Sequence, residues 1–194
     1  LISGGDAGEK EGHTNHEGSV HSGPDPHYWM SPVSAYIIAK DIKDFLTELN
    51  PRSAGKYQAN LDTLDRAIAR VDSALKAAAA TASPGIFMIY HPALGYLARD
   101  YGLQQVPFED EGKSPSPSRM KELIDIVREK GINIIFIQAE YDIRNARSLS
   151  SETGAKLVVI NPMNHDWPAA VMEVANTLTG EGIANEQLNI QNKK

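Results

Sequence analysis

The sequence contains no cysteine, so disulfides, zinc–thiolate sites, iron–sulfur clusters and thiol catalysis are all excluded, and any metal must be held by His, Asp, Glu or Asn. No run of apolar residues approaches the roughly 18 to 20 needed to cross a bilayer, which excludes a transmembrane helix from the 194 residues. Lysine and arginine are not clustered, and with 19 of them against 25 acidic residues the net charge is −6. That balance opposes nucleic-acid binding, which needs concentrated positive charge, and does not oppose binding a cation. The familiar catalytic fingerprints are missing as well: there is no His-Glu-x-x-His, no Gly-x-Ser-x-Gly and no dinucleotide glycine turn. Gly112-Lys113-Ser114 looks like the end of a phosphate-binding loop, but Pro107 stands where the first glycine is required, and Glu109, Asp110 and Glu111 would repel phosphate.

What is present is an ordinary globular composition, 41% apolar and 23% charged, sized for one full domain or one domain with an appendage. The chain opens Leu1-Ile2-Ser3-Gly4-Gly5, without Met, a basic segment or an apolar segment, and is read as a fragment or processed product. The first 25 residues combine glycine, acidic residues and histidine with little to bury and are expected to be flexible, within a segment 1–30 that also holds a loop of candidate metal-binding residues. His13, His16 and His21 could gather a cation weakly, or simply decorate a solvated linker.

Regular structure is expected from Ser31-Pro32, an N-cap followed by Pro in the first helical turn. Ile38, Ile42, Phe45, Leu46 and Leu49 share one helix face, and Asn50-Pro51 ends that helix. Tyr57, Leu61, Leu64, Ile68, Val71, Leu75 and Ala78 then alternate steps of four and three, which predicts one long helix of about 40 Å. Its narrow seam fits a strut along a domain surface or a coiled coil. Residues 31–83 thus form a helix plus a long linker helix.

Ser83-Pro84-Gly85 introduces a different rhythm. Short apolar runs at 86–90, 103–108, 132–137 and 157–160 read as buried strands, and helical patterns lie between them and after the last. The alternation predicts an α/β lobe over residues 84–180, a four-stranded parallel sheet flanked by helices and preceded by the long helix, with 181–194 as a polar tail. Ligands of such sheets bind beyond the carboxyl ends of the strands. There the chain carries His91-Pro92, Gln138-Ala139-Glu140, and Asn161-Pro162-Met163-Asn164-His165-Asp166, with another histidine upstream in Asp25-Pro26-His27-Tyr28-Trp29. Convergence of these loops favours a metal site over isolated solvated histidines. Asp166 has a second reading, as the cap of a helix beginning near Pro168.

Asp25-Pro26-His27-Tyr28-Trp29 with Ser31-Pro32, the His91 loop, Ser114-Pro115-Ser116-Pro117 and Glu152-Thr153-Gly154-Ala155-Lys156 together resemble the zinc-type branch of the metal-binding solute-binding proteins of bacterial ABC importers. The likeness covers residues 25 to about 180. It implies two α/β lobes joined by a backbone helix, with metal in the cleft between them, and an N-terminal lobe that this chain lacks. By the resemblance His27 is the second ligand and His91 the third, where histidine suits Zn2+ better than Mn2+. The fourth place, usually Asp, is Asn161, whose neutral amide oxygen is a weaker candidate ligand than a carboxylate, with His165 or Asp166 from the same loop, or water, as the alternatives. Glu140 is the candidate to orient a ligand histidine from behind. The implied protein is not an enzyme. It is a periplasmic or lipid-anchored receptor handing zinc to an ABC permease; the alternatives are an adhesin or host-ligand-binding protein of the same fold, and a zinc hydrolase with Glu140 as base.

Overall fold

The computed structural model describes residues 24–110 and 112–180. The expectations for His13, His16 and His21 and for the tail 181–194 fall outside the described residues.

A 3-10 turn at Tyr28–Met30 leads into α1, Pro32–Leu49. Ser31 occupies the N-cap position, yet its hydroxyl does not cap: Oγ is fully buried and donates to Asp100 Oδ2 at 2.5 Å. After a second 3-10 turn at Pro51–Ser53 comes α2, Ala54–Thr81, whose 28 residues give the expected rod of about 40 Å. Its seam buries Leu61, Ile68, Val71, Leu75 and Ala78, while Leu64 turns outward. The apolar face expected on α1 forms as a pattern but is not covered by the described residues: Ile42, Phe45 and Leu49 are 54%, 60% and 67% exposed.

The remaining elements alternate as β1 (Ile86–Ile89), α3 (Gly95–Asp100), β2 (Gln104–Pro107), α4 (Pro117–Glu129), β3 (Ile134–Gln138), α5 (Ile143–Thr153), β4 (Lys156–Ile160) and α6 (Trp167–Leu178). The four strands form one parallel sheet in the order β2-β1-β3-β4. Each strand is only four or five residues long, and the period of two sends successive side chains to opposite faces. Phe87, Ile89, Phe136 and Ile160 join Leu75 and Ala78 of α2 and Val171 and Val174 of α6 in one core; Met88, Tyr90, Ile135 and Ile137 join Leu123 and Val127 of α4 and Ala146 and Leu149 of α5 in the other. The sheet is therefore covered on both faces, which is why its central strands read as continuous apolar runs.

Among the described residues no helix is long and apolar enough to cross a membrane.

Candidate metal site at the carboxyl edge of the sheet

Parallel register determines what flanks His91. Strands β1 and β2 pair Ile86 with Gln104 through Ile89 with Pro107, a constant offset of 18, and β1 pairs with β3 at an offset of 47, Met88 with Ile135. Pairing runs on past the strand ends, with Phe108 N–H donating to Ile89 O, Glu109 N–H to Tyr90 O, and Tyr90 N–H to Phe136 O. Extending both offsets by the same count sets His91 between Glu109 and Gln138 in one row across the edge, all three on the same face of the pleat.

The side chains use that row. Glu109 Oε1 lies 2.8 Å from Nδ1 of His91, and a carboxylate can only accept, so Nδ1 carries the proton and donates. Gln138, almost fully buried, holds the main chain of the same residue from the other side: its Nε2 donates to His91 O at 2.7 Å and its Oε1 accepts from His91 N–H at 3.3 Å.

His27 is presented in the same manner. Its Nδ1 donates to Asp25 Oδ1 at 2.7 Å, and its backbone N–H donates to the same oxygen at 2.9 Å. Burial alone would raise the Asp25 carboxyl, but the hydrogen bonds from the His27 ring and backbone, with electrostatic attraction to the His27 and His91 rings, hold it below its usual 3.8. The segment is fastened to the lobe by bonds between residues far apart in sequence. Trp29 Nε1 donates to Pro162 O (3.1 Å), Trp167 Nε1 to Trp29 O (2.7 Å), and Tyr96 Oη to Asp25 O (3.2 Å). The two tryptophans thus stitch the Asp25–Trp29 segment to the loop after β4 and to the start of α6.

The His27 and His91 rings meet edge to face, with centroids 5.0 Å apart and planes at 74°. Two imidazoles sharing one tetrahedral ion, with metal–nitrogen bonds of about 2.0 Å, have centroids roughly 5 Å apart. With each Nδ1 protonated, the lone pair of each ring resides on Nε2, the nitrogen such an ion requires. Trp29 lies 5.5 Å from His27, and Tyr141 6.0 Å from His91. The Tyr141 hydroxyl is pushed up by burial and then by the charges of Glu109 and Glu140.

The other expected residues sit elsewhere or are otherwise engaged. Among the described residues no group of three or more His, Asp or Glu is arranged to hold a metal, so His165 and Asp166 do not join the histidine pair. Asn161 Oδ1 accepts from Met163 N–H in a local turn (3.0 Å), and Asp166 Oδ1 accepts from Ala169 N–H (3.1 Å), which makes Asp166 the N-cap of α6. His165 is exposed and has no side-chain hydrogen bond among the described residues. Glu140, expected behind a ligand histidine, is exposed in the turn after β3, and the carboxylate on the His91 ring is Glu109. Glu109, Gln138 and Asp25 were not expected as supports; the first two are brought to His91 by strand offsets of 18 and 47 that only the sheet register sets.

Comparison with known proteins agrees with this architecture. The family model of ZnuA, zinc-uptake complex component A, periplasmic, matches residues 2–179. The zinc-binding protein AdcA of Streptococcus pyogenes serotype M1 is 31% identical over 161 residues, covering 81% of this chain and 31% of that protein. The zinc-binding lipoprotein AdcA of Streptococcus pneumoniae serotype 4 is 32% identical over 166 residues, covering 84% of this chain and 33% of that protein. A crystal structure of ZnuA superposes with a TM-score of 0.76 at 30% identity, covering 81% of this chain and 62% of that one. The chain thus spans about a third of the length of these AdcA proteins.

Proposed function

The chain belongs to the ZnuA family of periplasmic zinc-uptake components, and from that premise we propose that it forms part of an extracytoplasmic receptor that captures Zn2+ as cargo and presents it to the permease of an ABC importer. The role is capture without chemistry, in the periplasm or at the outer side of the membrane through a lipid anchor, in keeping with the lipoprotein AdcA among its relatives.

The observation that carries this reading is the pair His27 and His91, with centroids 5.0 Å apart and each Nδ1 on a shielded carboxylate. Imidazole nitrogen favours zinc over manganese, and a carboxylate behind the ring makes the ligand more basic. His27 and His91 are the ligands. A tetrahedral zinc site needs two further donors. The loop Asn161–Asp166 follows β4 on the same edge and is tied to the His27 segment through Trp29 and Pro162. Within it the Asn161 and Asp166 oxygens named above serve local turns, which favours His165 as the donor that swings in on binding.

The test is calorimetric titration of the chelator-stripped chain with Zn2+ and then Mn2+ near neutral pH, for the wild type, His27→Ala and His91→Ala. The expected result is one tight zinc site, weaker manganese binding, and a loss of zinc affinity in each variant beyond the roughly tenfold to hundredfold typical of residues that only orient a ligand. Zinc isotherms unchanged in both variants would overturn the reading.

A further inference from the structure

Glu109 is an unusual place for a carboxylate. Its side chain is 4% exposed, one oxygen holds the His91 ring, and the other, Oε2, is buried with no hydrogen-bond donor among the described residues. Phe108 beside it is fully buried, and Tyr90 stacks on both Phe108 and Tyr141, at 5.1 and 4.6 Å between centroids. An anion in such surroundings lacks half of its solvation, and the fold would be better served by a neutral residue unless the charge has a purpose.

We propose that Glu109 is the positioning residue that gives His91 its metal-binding tautomer, and that its uncompensated buried charge contributes to the affinity for a dication. This rests on the reading of His91 as a zinc ligand. A histidine side chain left to itself in water favours the proton on Nε2, the form in which Nε2 cannot bind a metal. Glu109 reverses that preference, because only an Nδ1–H can satisfy the carboxylate oxygen at 2.8 Å. Gln138 completes the device. By clamping both the N–H and the C=O of His91, it leaves the backbone no freedom to carry the ring away from Glu109. The ring is held by one strand's neighbour and its backbone by the other's, so the ligand is ordered before metal arrives. A dication at Nε2 then polarises the ring and draws on the charge behind it. The preferred cargo is accordingly a divalent ion that favours neutral imidazole nitrogen.

The test begins with the metal-free protein. Nitrogen-15 correlation spectra of the full chain, recorded above the imidazole pKa, report the His91 tautomer directly, with the resonance assigned by comparison with His91→Ala. The wild type is expected to carry the proton on Nδ1. In Glu109→Gln, whose amide can present either an oxygen or an NH2 to the ring, the Nε2–H form should rise and zinc affinity should fall by about tenfold to a hundredfold. Glu140→Gln, at an exposed carboxylate, should change neither. A wild-type His91 protonated on Nε2 would overturn the proposal without any variant being needed. So would an unshifted tautomer in a folded Glu109→Gln. Failure of the wild type to bind zinc, with the Nδ1–H tautomer present, would instead strike the receptor reading and leave the positioning role of Glu109 standing.

Discussion

An imidazole has a single lone pair to give, and in both His27 and His91 a carboxylate engages Nδ1. Asp25 does this for His27 from two positions upstream in the chain, and Glu109 does it for His91 from a neighbouring strand. The first pairing is visible in sequence, because Asp and His stand two apart around a proline that stiffens the turn. The second is not, because 18 residues separate its partners and only the strand register brings them together. Away from the site, Asp72 on α2 shows how a carboxylate behaves when it serves the fold alone. Burial pushes its carboxyl up, but hydrogen bonds from Lys76 and the Tyr101 hydroxyl more than offset this and hold it below 3.8. A carboxyl whose folded pKa is depressed stabilises the fold above its unfolded pKa and loses that contribution as pH falls through the folded value. Denaturant melts of the metal-free protein should therefore lose stability between about pH 5 and pH 3 less steeply in Asp72→Asn than in the wild type. At neutral pH the substitution should cost less than about 1 kcal/mol, since the pair is partly exposed. Equal slopes in the acid range would contradict this account of Asp72.

At the level of elements, the rhythm of the sequence carries most of the fold. The step of four and three from Tyr57 to Ala78 becomes α2, the four apolar runs become the four strands within two residues at either end, and Gly154, at a φ of 76°, ends α5 in the left-handed turn that glycine accepts without strain. Local signals misled where one residue could serve two ends. Ser31 stands at an N-cap position but spends its hydroxyl on Asp100 at the end of α3, and Asp166 could be read as ligand or cap and is found capping. Substitution separates these roles for Asp166. Asp166→Asn keeps a good cap and removes the charge, so stability should hold within about 0.5 kcal/mol, whereas Asp166→Ala should cost about 1 kcal/mol. Zinc affinity should stay within about threefold in both, a shift well under one tenfold step. A much larger loss of zinc affinity in Asp166→Asn, with the fold intact, would return Asp166 to the metal.

Taken whole, the molecule holds one sheet between two cores, with the site on the edge where His91, Glu109 and Gln138 stand in register and where the Asp25–Trp29 segment is pinned by two tryptophans. The sequence discloses the lobe, the edge and both histidines, because strand ends and paired motifs are local features. It does not disclose which faces are covered. Ile42, Phe45 and Leu49 follow the helical period well and still face outward, since periodicity records that a face is apolar and not what packs on it. Nor does it disclose Glu109 and Gln138, the supports on either side of His91, which depend on two strand offsets read together.

The proposed receptor role requires that His27 and His91 bind one zinc ion through nitrogen. Zinc X-ray absorption on a chain lacking residues 1–24, loaded with one equivalent of Zn2+, tests it most directly, since that deletion removes His13, His16 and His21 as competing donors. The expected spectrum shows at least two imidazole nitrogens at about 2.0 to 2.1 Å in the first coordination shell, and the loss of one in His91→Ala. A shell made only of oxygen, or one unchanged in His91→Ala, would contradict it.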